Sequence, residues 1–418
     1  MKGFMKKTVV CALLCAAMAV GFLAGCGNSE TSDNAEQETT EAEKAEEVEI
    51  WYYWETEGHQ VALNKIIDEY NKSQDEYEVE SKYVPFADFK KLLSIGASVD
   101  ELPDMVIIDS PDHASYAAMG IFADLTDKFD ASGYYEAPVS SCTLNDTLYG
   151  VPFGCNCLGL YYNEEMLNEA GVKVPETWDD LKSAAAALSQ GDVTGFAICS
   201  VQNEEGTFGF MPFVWSTGES YETIDSEGGI RALTLFKDLT ESGAMSKECI
   251  NWTQGDVMNQ FISGNVAMMI NGPWQIPTME EEAPDLNWKV TLIPKDQEYS
   301  SDIGGENYAV ISGGNEDGAV AFLEYATSEE SVKYLMSAFG YIAAQEDIAA
   351  TQFTGEDNEA YKVFTEQLAY AKARGPHESW PDISDAISLA FNKSITGDAT
   401  PEDAAKEAQT TIDGVLGE

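Results

Sequence analysis

The sequence predicts an α/β protein of two lobes, each built on a mainly parallel sheet flanked by helices. Two patterns predict it. From Val48 to Ile108 the apolar period switches between strand and helix spacing to read β-α-β-α-β. From Gly159 to Ile270 the same style recurs without any repeat of the sequence. With 418 residues the chain is long enough for two domains of ordinary size.

Taken in order, Lys2, Lys6 and Lys7 precede an almost unbroken apolar and small-residue run from Thr8 to Gly25, the pattern of a secretory signal. The run approaches the ~20 residues that span a bilayer, so a retained signal anchor is the alternative. Leu23-Ala24-Gly25-Cys26 favours processing, because small Ala24 and Gly25 let an extended backbone enter a peptidase cleft. This tetrapeptide resembles the lipobox of bacterial lipoproteins. The resemblance implies removal of residues 1–25 and a diacylglyceryl group on the Cys26 thiol, with two acyl chains for stable anchoring at the outer face of the cell membrane. Residues 26–47 are Glu-rich and have no aromatic residue, so they read as a disordered acidic tether.

The folded body is expected from Val48. Val48 to Tyr53 reads as a strand, and Leu63, Ile66, Ile67 and Tyr70 as one helix face. Tyr77, Val79, Ser81 and Tyr83 alternate; Phe89, Leu92, Leu93 and Gly96 return to helical spacing; Met105 to Ile108 is a short apolar strand. The second lobe offers strands near Gly159–Tyr162, Gly195–Cys199 and Val266–Ile270 and a helix from Trp178 to Leu188. The Thr177 hydroxyl is placed to cap that helix at the amide of Asp180. The C-terminal third is helical, with breaks expected at Gly375-Pro376 and Trp380-Pro381.

The formal charge of −50 becomes −53 once the leader lysines are gone. Such a field repels nucleic acid and anionic lipid, so the only membrane contact expected is through Cys26. It also disfavours phosphorylated or carboxylated solutes, leaving a neutral one. Five cysteines remain in the mature chain: Cys142, Cys155, Cys157, Cys199 and Cys249. Their spacing fits neither a disulfide framework nor a zinc knuckle, and free, partly buried thiols are expected.

Four segments resemble the bacterial extracellular solute-binding proteins of the maltose-binding type. They are Pro103 to Ile108 with Tyr116 to Leu125; Tyr149 to Pro152 through Leu160-Tyr161-Tyr162-Asn163 to Val174-Pro175-Glu176-Thr177-Trp178-Asp179-Asp180-Leu181; Phe261 to Trp274; and Gly304 to Ile311. The resemblance implies a two-lobed periplasmic-binding-protein-like fold joined by hinge strands. The N-terminal lobe would take residues 48–154 and 310–357, and the C-terminal lobe residues 155–309 and 358–418. A neutral oligosaccharide would bind in the cleft, closure would present a new surface to the transmembrane subunits of an ABC permease, and the protein would act as a monomer without cofactor or metal.

In open α/β sheets ligands sit beyond the carboxyl ends of strands, and aromatic residues gather there in this sequence. A sugar offers a C–H face that stacks on aromatic rings and an edge of hydroxyls that wants carboxylates and amides. Trp274 matches a sugar-stacking tryptophan of the family, the alternative being a core residue behind the Gly272-Pro273 turn. Asn156 falls where the family places a hinge-side carboxylate. Asp112 and Phe208 match a polar and a stacking position. Tyr53, Trp54 and Glu55 are placed by topology at the end of the first strand, and Trp380 and Glu306 complete the set.

Catalysis is disfavoured by what is missing: no Gly-x-Ser-x-Gly elbow, no His-Glu-x-x-His helix, no Gly-x-x-x-x-Gly-Lys loop, and only the scattered His59, His113 and His377. A phosphate site would want more than Arg231 and Arg374. An acidic, aromatic cleft also suits a polyamine, which stays open beside the sugar; a surface adhesin requires a filled cleft.

Overall fold

The computed structural model describes residues 44–99, 101–353 and 359–417. The leader, Cys26 and residues 26–43 of the expected tether lie outside the described residues, as does the expected lobe boundary at 357/358. The structure is two-lobed and α/β.

The first lobe is built on a five-stranded sheet. Strands Tyr77–Tyr83, Glu46–Tyr52 and Met105–Asp109 run parallel in that spatial order; Glu306–Val310 then adds antiparallel to Met105–Asp109, and Val151–Pro152 closes the edge antiparallel to it. Helices Glu57–Ser73 and Phe86–Val99 are the crossovers that parallel strands require. The inner strands Met105–Asp109 and Glu306–Val310 are buried on both faces, which explains the near-continuous apolar run of the first, whereas edge strand Tyr77–Tyr83 buries only Val79. Val48, Ile50, Met105, Ile107, Tyr308 and Val310 enter one core. Trp51, Val106, Ile108 and Ala309, one residue out of phase, enter the other.

Three expectations shift here. The first strand begins at Glu46, whose partner is Tyr77, so Glu46 and Glu47 are ordered by the sheet and are not tether. The boundary expected at 309/310 falls inside the strand Glu306–Val310, which already belongs to the first sheet. Trp380-Pro381 does not break a helix but starts one, Trp380–Thr396. Proline is tolerated in a first helical turn because its missing N–H would have had no partner there.

The second lobe surrounds the largest apolar core, which gathers residues from Cys157 to Ile293 and from Tyr361 to Ile412. Its three-stranded sheet, with Gly159–Asn163 between Met268–Asn271 and Trp288–Thr291, is antiparallel throughout. Parallel pairing survives, among the described residues, in the short ladder of Ser301–Ile303 with Ala371–Ala373 and in single bridges such as Ala197 to Met269, and the strand expected at Gly195–Cys199 is reduced to such bridges. Helix Trp178–Leu188 has its full capping box, with the Thr177 hydroxyl accepting from the Asp180 amide and the Asp180 carboxylate returning to the Thr177 amide. Cys142, Cys155, Cys157, Cys199 and Cys249 are all buried and, among the described residues, unpaired.

Candidate functional site

A cavity of about 380 Å³ opens where strand ends of the first lobe face helix starts and turns of the second. That volume is in the range of small-molecule sites. Tyr53, Trp54 and Glu55 follow strand Glu46–Tyr52, Asp109 ends strand Met105–Asp109, and Glu306 begins the strand beside it. From the other side come Glu204, Glu205 and Phe208 at the start of helix Glu204–Ser216, capped by Asn203, and Trp274 just past strand Met268–Asn271. Asn156, Gly304 and Gly305 lie where the chain crosses between the lobes, and Arg374 follows strand Ala371–Ala373.

The aromatic part is a stack. Phe208 and Trp274 face each other at 6.0 Å between centroids with 27° between planes, and the Arg374 guanidinium carbon lies 4.2 Å from the centre of the Phe208 ring. Glycine is required beneath it. A Cβ on Gly272 would come within 1.9 Å of the Trp274 ring, and one on Gly304 within 2.3 Å of Asn156 Oδ1.

The polar part contains two very different carboxylates. Glu204 is bound on both oxygens: Arg374 Nη1 and the Ser384 hydroxyl donate to it, and Trp380 Nε1 donates at 2.9 Å. Arg374 is buried and shared, with Asp302 Oδ2 at 3.7 Å and Asp109 Oδ1 at 3.8 Å. Burial works to lower the Arg374 pKa, but the three carboxylates outweigh it. Glu306 is saturated on one oxygen only. Its Oε1 accepts from Tyr53 Oη at 3.0 Å, Trp54 Nε1 at 2.9 Å and Tyr341 Oη at 3.0 Å, while Oε2 has no partner among the described residues. Asn156 Oδ1 is also buried without a partner among them. Burial raises the Glu306 pKa against the opposing effect of its three donors, and burial pushes Asp109 and Asp302 well above the carboxylate range despite Arg374.

Seven of the nine residues expected at the site line this cavity: Tyr53, Trp54, Glu55, Asn156, Phe208, Trp274 and Glu306. Asp112 does not. It sits in the 3-10 turn after Asp109, 1% exposed, with its carboxylate on Lys90 Nζ at 2.7 Å. Trp380 is also outside the lining, fully buried, and its indole N–H supports Glu204 from behind. Sequence reasoning missed Asp109, Glu204, Tyr341 and Arg374. Arg374 carried the clearest signal, because it is one of only two arginines in the chain.

The family profile described as bacterial extracellular solute-binding protein matches residues 65–362. The lactose-binding protein of Rhizobium radiobacter is 29% identical over 300 residues, 67% of this chain and 70% of that protein. The galactooligosaccharide-binding protein of Bacillus subtilis is 23% identical over 421 residues, 97% and 96% of the two chains. Among solved structures, the GacH receptor of Streptomyces glaucescens, described unliganded and with acarbose, superposes with a TM-score of 0.81 at 24% identity over 90% of this chain and 99% of that one. A maltose-bound protein of T. maritima gives 0.81 at 21% identity, over 89% and 100%. At such identities the structural likeness is one of fold.

Proposed function

The chain belongs to the bacterial extracellular solute-binding protein family, and from that premise we propose that it is the substrate-binding subunit of an ABC importer, capturing a neutral oligosaccharide between its lobes. It binds and does not catalyse, acts as a monomer, and hands its solute to membrane permease subunits. A lipid on Cys26 holds it at the outer face of the cell membrane.

The observation that carries the sugar reading is the pairing of the Phe208–Trp274 stack with two buried acceptors, Glu306 Oε2 and Asn156 Oδ1, left without partners among the described residues. A ring with a C–H face and hydroxyl edges answers both needs. Relatives named for lactose and galactooligosaccharide binding support the same class, and the cavity volume fits a solute of a few sugar units at most. Tyr53, Trp54 and Glu55 would form the first-lobe wall and Asn156 the hinge side.

The test is a thermal-shift screen of the full chain against galactooligosaccharides, maltooligosaccharides, simple sugars and polyamines. A solute at a hundred times its Kd adds about 2.7 kcal/mol of stability, a readily measured shift. A shift with one glycan family supports the proposal, and shifts with polyamines alone sink it. Polyamine binding is the second reading, favoured by seven carboxylates lining the cavity against one guanidinium.

A further inference from the structure

Asp109 and Glu306 are direct partners across antiparallel strands Met105–Asp109 and Glu306–Val310, and both line the cleft. Residues directly opposite in such a pair stand on one face with Cβ atoms about 4.5–5.5 Å apart, and like charges there repel. Glu306 is buried and Asp109 largely so, its side chain 14% exposed towards the cleft, and in such surroundings two neighbouring carboxylates resist ionising together. The surrounding charges do not remove the conflict. Arg374 is the nearest cation, yet its Nη1 is committed to Glu204 and its Nη2 stands 3.8 Å from Asp109, beyond hydrogen-bond reach. Lys90, on helix Phe86–Val99, is held by Asp112 at 2.7 Å. Glu204 and Asp112 add negative charge near Asp109, and Tyr53 and Tyr341 act as donors to Glu306 Oε1. Glu306 Oε2 is the one atom of the pair that is buried with no partner among the described residues.

We propose that Asp109 and Glu306 are a proton-sharing carboxyl pair that determines the selectivity of the cleft. One proton on the pair turns a bare oxygen into an O–H donor next to a carboxylate acceptor, the combination a sugar hydroxyl can meet as both acceptor and donor. It also lowers the negative charge that closure over an uncharged solute would bury. The choice of solute rests on the oligosaccharide reading above; the shared proton does not.

Melting and infrared measurements test the proton, and a separate titration tests selectivity. For the proton, the full chain, Glu306→Gln and Asp109→Asn are melted without solute between about pH 4 and pH 8. A pair whose folded-state pKa is raised contributes stability that is complete below the unfolded value, about 4.3 for Glu, and is lost as pH rises towards the folded value. Each variant should therefore gain Tm relative to the parent as pH rises. The parent minus Glu306→Gln infrared difference at neutral pH should contain a protonated-carboxyl band. A pH-independent Tm difference with no such band overturns the proposal, whatever the protein binds. For selectivity, galactooligosaccharide and spermidine are titrated into the parent and Glu306→Gln. The sugar should bind the parent more weakly at alkaline than at neutral pH, by about tenfold or more, and this dependence should vanish in Glu306→Gln. Spermidine binding more tightly than the sugar would mean that the solute itself neutralises the pair, and that overturns the selectivity assignment.

Discussion

Glu204 and Glu306 are both buried carboxylates on the wall of one cleft, and they differ in how completely their own chain satisfies them. Glu204 has Arg374, Trp380 and Ser384 on its two oxygens. Glu306 crowds three donors onto Oε1 and leaves Oε2 bare among the described residues. The difference separates a group that holds the lobe together from one kept ready for something else. The two tryptophans divide in the same way. Trp380 is fully buried with its N–H engaged, whereas Trp274 is half-buried and stacked at the cleft surface.

The largest effect should come from the satisfied side. Glu204→Ala leaves Arg374 with its closest partner gone, and removing one member of a buried ion pair costs about 3–5 kcal/mol. Urea unfolding should show the unfolding free energy falling by that amount, with a lower midpoint at unchanged slope, while Glu306→Gln, which keeps an acceptor for its three donors, should cost far less. Equal losses in the two variants would break the comparison. Trp380→Ala comes next, at about 3–5 kcal/mol of stability for a fully buried aromatic.

Trp274→Ala should reverse the pattern. A stacked tryptophan in a binding pocket contributes about 2 kcal/mol or more to affinity, ~30-fold in Kd, with a much smaller change in the Tm of the solute-free protein. Calorimetry with the glycan that the screen identifies would check it, and global unfolding of this variant would show that Trp274 is core. A subtler variant is Gly272→Ala, whose Cβ would come within 1.9 Å of the Trp274 ring and must push the indole out of its stack. Loss of that geometry should weaken binding by about 0.5–1.5 kcal/mol while the fold persists. The smallest effect is expected at Glu329→Gln, which breaks an exposed helical pair with Lys333 and should change stability by less than about 0.5 kcal/mol. A larger loss there would mean that carboxylate count, rather than satisfaction, governs this acidic protein.

Much of the site was legible because aromatic residues at strand ends are a local pattern. Tyr53 and Trp54 were placed this way, Phe208 and Trp274 also through the family resemblance, and the four converge on one cavity. Asp112, expected in the loop after a strand, and Trp380, expected in the C-terminal segment, turn inward instead: Asp112 places Oδ2 2.7 Å from the half-exposed Lys90 ammonium, and Trp380 gives its indole N–H to buried Glu204. Asp109, only three residues from Asp112, is the one whose strand-end position exposes it to the cleft. Among 73 acidic residues no local signal distinguishes the two.

By itself the sequence determined the α/β class, the order of crossover helices and strands in the first lobe, the capped helix after Thr177 and the aromatic character of the cleft. Apolar period and capping chemistry act over a few residues and can be read in order. Only the tertiary structure decided that the second sheet is antiparallel, that Glu306 stands opposite Asp109, and which acids are satisfied. Those outcomes depend on partners far apart in the chain: Arg374 reaches Glu204 across 170 positions, and Tyr53 reaches Glu306 across 253. Whether a buried carboxylate is structural or free to bind depends on such distant donors, which no local pattern encodes.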